Sequence, residues 1–169
     1  MSEGFHPKPR MSFPSALALG IEGLDEVVEL ELAEPAASES LLAQLVQHAV
    51  PGLRFCAVEI LPPGTKKAQL QSATYQLPVP QERRAAAARP IAWLRGTSPE
   101  AAPETLGPGA SFVRDSLEDI DLESGNLRFR LRASRQRSAG PRDVLAAVGL
   151  DDLEPSGTWL TRSAVQLQS

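Results

Sequence analysis

Hydrophobic and polar positions in the first third of the chain alternate in short runs that glycine and proline interrupt. The alternation predicts one β-strand over Met11 to Leu19 and a second over Val27 to Leu32, joined as a hairpin by a turn over Gly20 to Asp25. The spacing then becomes helical after Ser38, and the apolar residues that carry it are Leu41, Leu42, Leu45, Val46 and Ala49. The apolar run Leu53 to Leu61 predicts another strand. The predicted order of this part is therefore strand, strand, helix, strand.

The remainder of the chain predicts a similar order with one more strand and helix at its start. Thr74 to Val79 has the pattern of a strand, and Glu82 to Leu94 that of a helix which Pro90 should break or kink. The pattern predicts a strand within Ser111 to Leu122 and further elements that follow it: a strand over Leu127 to Ala133, a helix over Pro141 to Val148 and a strand over Thr158 to Leu167. This order is strand, helix, strand, strand, helix, strand.

The second order is the βαββαβ order of a ferredoxin-like domain, and the first is that order without its opening strand and helix. We therefore predict an α+β protein of tandem ferredoxin-like halves, residues 1–64 and 65–169, with the first half truncated. The missing strand would lie inside its sheet, so its absence leaves unpaired edges. The expectation is a polypeptide that lacks an upstream piece and is unstable alone or borrows a strand.

Composition narrows the classes of function. A net charge of -4 argues against wholesale binding to nucleic acid or membrane, so such binding would need a local patch. Cys56, the single cysteine, excludes an internal disulfide and is expected to be a small core residue. Two histidines are too few for a typical structural zinc site, and no cofactor or metal site is predicted. Without a signal peptide or a membrane span in the pattern, we expect a cytoplasmic protein without a membrane partner.

The N-terminal cluster Gly4 to Arg10 is the first candidate binding site. Glycine allows close backbone approach, and Pro7 and Pro9 hold the segment extended, which places alternate donors on one side for a phosphate or carboxylate. The alternative is a structural loop with its aromatic ring in the core and its cations solvated. The predicted binding residues are Gly4, Phe5, His6, Lys8 and Arg10.

The second candidate site is an arginine stripe on one predicted strand. Arg128, Arg130 and Arg132 alternate with apolar residues, so one face is basic and the other faces the core. Such a stripe fits a phosphate backbone or an acidic protein surface. The alternative is ordinary solvated surface, or neutralisation across an interface by an acidic segment that contains Glu22, Asp25, Glu26, Glu29, Glu31 and Glu34.

Several motifs carry a family resemblance. The segment Ser2 to Pro9, followed by Met11-Ser12-Phe13, and later motifs at Pro51-Gly52-Leu53, Pro141 to Leu145 and Arg162-Ser163 resemble those of the radical SAM-linked protein family, a bacterial domain of unknown function. Members of that family carry a strand and a helix before the first motif, and they enter the late helix through Arg-Pro. In this chain, Met1 stands where the family has its upstream strand and helix. Gly140 replaces the arginine before Pro141, and Arg142 is the arginine available as its substitute.

The resemblance implies a non-catalytic accessory domain that works with a radical SAM enzyme and binds RNA or another macromolecular substrate. The chain lacks the Cys-x-x-x-Cys-x-x-Cys ligands of such an enzyme, so it does not hold the iron–sulfur cluster itself. Two alternatives remain open. One is a module that docks on the radical SAM enzyme without contacting nucleic acid, and the other is an enzyme that uses His6. No catalytic residue is assigned.

Overall fold

A computed structural model describes residues 10–97, 103–104, 106–107, 109–134 and 138–168. This part of the chain is an α+β protein with four helices and two sheets. The strands, in chain order, are β1 (Met11–Ser12), β2 (Ile21–Gly23), β3 (Glu29–Leu30), β4 (Gln69–Pro78), β5 (Leu117–Glu123), β6 (Asn126–Arg132) and β7 (Leu160–Gln168). The helices are α1 (Ser38–Gln47), α2 (Gln81–Arg95), α3 (Ala110–Ser116) and α4 (Pro141–Ala147).

Two compact units share the chain. The first unit contains residues 10–13 and 28–67, and the second contains residues 14–27 and 68–168, where described. The 14–27 segment therefore leaves the first unit after β1, and the chain returns to that unit before β3. The boundary predicted between residues 64 and 65 stays a prediction about domains.

The second unit is built on a five-stranded sheet in the order β2-β7-β4-β6-β5. The pairs β7–β4, β4–β6 and β6–β5 are antiparallel, whereas the short edge strand β2 pairs parallel to β7. From β4 onward the elements follow the predicted order of strand, helix, strand, strand, helix, strand, with α3 as an additional short helix. The first strand of that series, β4, lies between the last strand and the third.

The core of the second unit lies between one sheet face and the helices. Alternate residues of the central strands, such as Leu77, Leu127 and Phe129, are buried against Ile91 of α2 and Leu145 of α4. Tyr75 and Phe129, opposite each other on β4 and β6, stack with ring centroids 5.4 Å apart. The aromatic residues of the two central strands therefore face the helices, and the other sheet face is left to polar side chains.

The first unit has much less regular structure. Its two-residue strands β1 and β3 pair antiparallel, and α1 follows them. None of the residues described in this unit is buried, and α1 has no buried position. The predicted strands over Met11 to Leu19 and Val27 to Leu32 are thus reduced to two residues each.

Three expectations about local structure are wrong. Leu53 to Leu61 forms no strand, and Cys56 is exposed rather than part of a core, because that segment has no partner strand in the described chain. The break expected at Pro90 does not occur, because α2 continues to Arg95 with Pro90 buried inside it, whereas a kink there stays a prediction. By contrast, the strand predicted within Ser111 to Leu122 is confirmed as β5, and the short helix α3 precedes it.

Candidate binding face of the second unit

The predicted arginine stripe lies on a polar sheet face, on the strand next to the edge of the sheet. In β6, Leu127, Phe129 and Leu131 are buried, whereas Arg128 and Arg132 are exposed and Arg130 is half-buried. The period of two places the three guanidinium groups, which we call the arginine stripe, on the side away from the helices, about 7 Å apart along the strand. The predicted alternation of β6 is confirmed.

The neighbouring strand β4 presents short polar side chains to the arginine stripe. Ser72, Thr74 and Gln76 lie opposite Arg132, Arg130 and Arg128 respectively. The Nε atom of Arg130 donates a hydrogen bond of 3.3 Å to the Thr74 hydroxyl. Ser72 and Thr74 are themselves buried, so the arginine side chains lie over a polar floor rather than over apolar residues.

The edge strand β5 carries carboxylates beside the arginine stripe. Asp119 and Asp121 lie opposite Arg130 and Arg128, and Glu118 forms an ion pair of 3.1 Å with Nε of Arg132. We call the four acidic side chains of this strand the carboxylate stripe: Glu118, Asp119, Asp121 and Glu123. The sequence-based prediction missed it, because it considered only the acidic segment from Glu22 to Glu34 as the source of neutralising charge. The signal was present in the Leu-Glu-Asp-Ile-Asp-Leu-Glu run, whose alternation matches that of β6.

Asp121 and Glu123 of β5 have pKa values shifted in opposite directions. An ion pair and hydrogen bond from Arg95, at the end of α2, holds the pKa of Asp121 below its ordinary value. The neighbouring Glu123 shares a hydrogen bond with Asp121, and that bond together with the Asp121 charge raises the pKa of Glu123. Arg95 also donates to the Ile120 carbonyl at 2.8 Å, which fixes its guanidinium against the edge of the sheet.

A buried arginine lies on the opposite, helix-facing side of the same sheet. The side chain of Arg162 on β7 is only 2% exposed, and its guanidinium binds the Glu26 carboxylate through Nε and Nη2, with a 2.7 Å bond from Nε to Oε1. Its remaining donors reach the Ser15 hydroxyl at 2.8 Å and the carbonyls of Ser15 and Ala16. Burial alone would lower the pKa of Arg162, but hydrogen bonds to Glu26 and Tyr75 raise it above its ordinary value. Arg162 thus fastens the 14–27 segment to the rest of the second unit.

Arg142 makes a second attachment to the same segment. Its Nε and Nη2 atoms bind the Glu154 carboxylate at 2.9 and 3.0 Å, and Nη2 also donates to the Leu19 carbonyl. The helix entry itself is capped by Asp143, whose carboxylate accepts a 2.8 Å bond from the Gly140 amide. Arg142, the available substitute for the family's arginine at this motif, therefore holds the backbone of the 14–27 segment in place.

The N-terminal cluster is described only at its last residue. Arg10 forms a surface ion pair with Glu31, with Nη1 and Oε2 3.3 Å apart, beside the β1–β3 pair. The predicted binding residues Gly4, Phe5, His6 and Lys8 lie outside the described residues. They remain predictions, as does any role of His6 in catalysis.

The side chains of the acidic segment form ion pairs and hydrogen bonds with residues outside the arginine stripe. Glu26 binds Arg162, Glu31 binds Arg10, and Glu22 accepts a hydrogen bond from the Thr161 hydroxyl at 3.0 Å. The partners in these three bonds are Arg162, Arg10 and Thr161, and none of them belongs to the arginine stripe. The carboxylates of β5, rather than the acidic segment, lie where they can neutralise the charge of the arginine stripe.

The described residues contain no group of three or more histidine, cysteine or acidic side chains placed to hold a metal ion. Among the same residues, no helix has both the length and the apolar character needed to cross a membrane.

Fold and site define an α+β protein whose second unit presents parallel stripes of arginine and carboxylate on a polar sheet face. The sequence profile of a family described as "uncharacterized protein conserved in bacteria (DUF2344)" matches residues 1–106, and the chain belongs to this family. No curated protein and no solved structure matches the chain.

The family match has a definite extent. It includes the N-terminal cluster, the first unit, β4 and α2, whereas the arginine stripe, Arg142 and Arg162 lie beyond residue 106. Membership of a bacterial family of unknown function is thereby confirmed. The association with a radical SAM enzyme stays a prediction from the resemblance.

Proposed function

We propose that this protein is a non-catalytic accessory module that docks on a protein partner through the polar face of its second unit. The resemblance supplies the partner, a radical SAM enzyme. The observation that carries the proposal is the pair of adjacent stripes, with arginines on β6 and carboxylates on β5. A face with both signs of charge in fixed register fits a protein surface of the complementary pattern.

Charge balance favours a protein over RNA as the occupant of this face. The arginine stripe carries three positive charges, and the carboxylate stripe beside it carries up to four negative ones. A polyanion gains from the first stripe and is repelled by the second, whereas a protein surface can be matched to both.

RNA binding is the second candidate function, and the spacing of the arginine stripe supports it. Repeats of about 7 Å along a strand match the extended path of a phosphate backbone. A four-stranded sheet that reads RNA typically stacks bases on exposed aromatic residues of its central strands. Tyr75 and Phe129 here face the helices, so RNA would be held by its phosphates alone.

The test is an affinity measurement against two probes, the purified radical SAM enzyme and a single-stranded RNA oligomer. Arg128→Glu removes an exposed member of the arginine stripe, and Arg89→Glu is the matched control on the surface of α2. We expect Arg128→Glu to weaken binding to the enzyme about tenfold and Arg89→Glu to leave it unchanged. Equal affinities for all three proteins would contradict docking through this face.

The RNA probe separates the two candidate functions. If the three arginines contact three phosphates, the logarithm of the affinity for single-stranded RNA should fall with the logarithm of the salt concentration, with a slope of about -2. Binding of that kind, without affinity for the enzyme, would replace docking by RNA binding as the function.

We also propose that both units derive from one ferredoxin-like arrangement. The support is the order β1, β3, α1 in the first unit, which parallels β5, β6, α4 in the second, and the antiparallel pairing of both strand pairs.

A further inference from the structure

One member of the carboxylate stripe, Glu123, differs from the other three in what lies opposite it. Each of the others has an arginine of β6 beside it, and these pairs are Glu118 with Arg132, Asp119 with Arg130 and Asp121 with Arg128. Glu123 lies opposite Asn126, whose side chain is neutral. The Asn126 amide donates a 3.4 Å hydrogen bond to Gln76 of β4, on the other side of β6 from Glu123. The arginine stripe therefore places no arginine opposite Glu123.

The turn that joins β5 to β6 fixes the position of Glu123. Ser124 and Gly125 both have positive φ angles, 52° and 81°, and the hairpin closes on the pair of Glu123 and Asn126. A two-residue turn of this kind matches the twist of the strands that it joins and sets their register. The Glu123 side chain is exposed, so it is held at the end of the polar face and can be reached from outside.

The charged groups around Glu123 leave an excess of negative charge there. Asp121, two positions earlier on the same face, shares a hydrogen bond with Glu123, and such a bond between two carboxyl groups needs a proton on one of them. Arg95 of α2 holds Asp121 ionised, so the proton belongs to Glu123. Arg95 and Arg128 of β6 also attract the charge of Glu123, but the effect of Asp121 is larger and raises the pKa of Glu123.

The arginines of α2 near this hairpin already serve other acceptors. Arg95 binds Asp121 and the Ile120 carbonyl. Arg84 lies against Gly125 of the turn, and its Nε atom donates a 2.9 Å hydrogen bond to the Val79 carbonyl. A cation brought to Glu123 from outside these elements would offset the repulsion from Asp121.

We propose that the docked partner places a lysine or arginine side chain on Glu123, and that docking thereby releases the proton that Glu123 holds. The O–H bond of the Glu123 carboxyl group breaks, the proton passes to the buffer, and the carboxylate pairs with the cation of the partner. A phosphate backbone would have the opposite effect, because a further anion favours the protonated carboxyl group. This inference rests on the proposed docking function and names one contact in it, together with its dependence on pH.

Docking that releases a proton becomes tighter as the pH rises. The cation of the partner lowers the pKa of Glu123 in the complex below its raised value in the free chain, so the free chain binds more protons than the complex does. The affinity therefore increases as the pH rises through the range in which Glu123 titrates, and it is constant above that range. The increase should be about tenfold, which corresponds to a change of about one unit in the pKa on binding.

Isothermal titration calorimetry of the full chain with the purified radical SAM enzyme tests this contact. Titrations between about pH 4 and 7 include the range in which glutamate side chains titrate. Two buffers with different ionisation enthalpies then give both the affinity and the number of protons released. Near neutral pH, Glu123→Gln should bind about tenfold more weakly, because it cannot pair with the cation, and it should lose the proton release.

Glu82→Gln is the matched control, at an exposed glutamate on the surface of α2. This variant should keep the affinity, the proton release and the pH dependence of the wild-type protein. Because Glu82 and Glu123 are both exposed, neither substitution should unfold the second unit.

NMR titration of the Glu123 carboxyl resonance in the full chain alone distinguishes a partner from this protein's own residues. Without a cation on it, Glu123 titrates above its ordinary pKa because of Asp121. Titration below the ordinary pKa in the full chain alone would overturn the inference, because another segment of the same chain would then supply the cation.

The calorimetric results separate this contact from docking itself. Binding without proton release, or release that persists in Glu123→Gln, would reject the contact and leave the docking function in place. Uptake of a proton would also reject it, since the partner would then bring an anion to Glu123. Failure of the wild-type chain to bind the enzyme at any pH would reject both the contact and the docking function.

Discussion

At the scale of single residues, the largest surprise is Arg162, a buried cation on the core side of a strand. Inward positions of β7 are expected to be apolar, as Leu160 is, and an arginine at such a position needs a carboxylate and further acceptors. The alternation of β7 was visible in the sequence, but the carboxylate that pairs with Arg162 was not. Glu26 lies 136 positions away along the chain, so only the fold brings the two together.

Arg162→Ala should destabilise the second unit by about 3 kcal/mol, measured by urea unfolding. The reason is that Glu26 and the carbonyls of Ser15 and Ala16 lose their donors at once. Arg162→Lys should recover only part of the loss, because an ammonium cannot replace the planar fork of donors.

The control for that measurement is Arg83→Ala. Arg83 makes a solvent-exposed ion pair with Asp152, and exposed pairs of this kind contribute little to stability. Equal stability of the Arg162→Ala and wild-type proteins would show that the buried arginine does not fasten the 14–27 segment.

Carboxyl resonances of β5, followed by NMR through an acid titration, should separate Asp121 from Glu123. Asp121 should titrate below its ordinary pKa, because Arg95 donates a hydrogen bond to its carboxylate. Glu123 should titrate above its ordinary pKa, because it shares a hydrogen bond with the charged Asp121. A lowered pKa in the folded protein means that Asp121 stabilises the fold above the unfolded pKa, and that this stabilisation is lost as pH falls through the folded value. Glu123 has the opposite sign, so its contribution is favourable at acid pH and is lost as pH rises through its folded pKa.

Arg95→Gln is the variant that tests the cause. It should raise the pKa of Asp121 towards the ordinary value, because the largest contribution to the shift is the Arg95 hydrogen bond. An unchanged titration of Asp121 in this variant would assign the shift to another group.

At the scale of elements, the sequence predicts the strands and helices that have a strong hydrophobic pattern or a partner close to them along the chain. The alternation of β6 and the spacing of α4 are confirmed. Two segments were mispredicted because distant pairing decides their structure, and period and propensity do not contain that pairing; β4 and β7 also pair at a distance, but their own patterns were strong enough to predict them. Residues 53–61 have the composition of a strand but no partner, whereas β2 is a strand of three residues only because β7 lies beside it. Pro90 lies inside α2 as a fully buried residue, so the helix continues through it despite its low helix propensity.

Gly107→Ala should destabilise the second unit by about 1–3 kcal/mol in urea unfolding, the usual cost of overpacking. A Cβ atom at this position would lie 2.0 Å from the backbone oxygen of Ala146 at the end of α4, and a backbone carbonyl cannot move aside as a side chain can. The Gly107 amide also donates to the Ala147 carbonyl, so any displacement costs a hydrogen bond.

Gly140→Ala is its control. The nearest atom to a Cβ atom there is a side-chain oxygen of Asp143 at 3.6 Å, an ordinary contact, so the expected loss is only that of replacing a glycine N-cap by alanine, up to about 1 kcal/mol. A similar loss in both variants would mean that close packing of residue 107 on α4 is not the cause.

At the scale of the whole molecule, the two units differ in how far they are folded by their own residues. Every large side chain that is fully buried in the described chain belongs to the second unit. The α+β class and the element order of that unit were predictable from pattern alone. The passage of residues 14–27 into the second unit was not, because it depends on Arg162, Arg142 and β2 pairing across more than a hundred positions.

The placement of the candidate site was predicted in part. The arginine stripe followed directly from the alternation in β6, but its electrostatic character did not, because the neighbouring strand was unknown. With β5 beside it, the stripe becomes half of a two-signed face, and the best-supported occupant changes from RNA to a protein.

The most direct test of that docking face is the affinity of Asp119→Lys for the purified radical SAM enzyme and for single-stranded RNA. Asp119 is an exposed member of the carboxylate stripe, opposite Arg130. If a protein of complementary pattern occupies both stripes, reversing this charge should weaken enzyme binding about tenfold, because a matched pair becomes a repulsive one. A variant that binds RNA more tightly and the enzyme unchanged would contradict the account, since the face would then act as a site for phosphates.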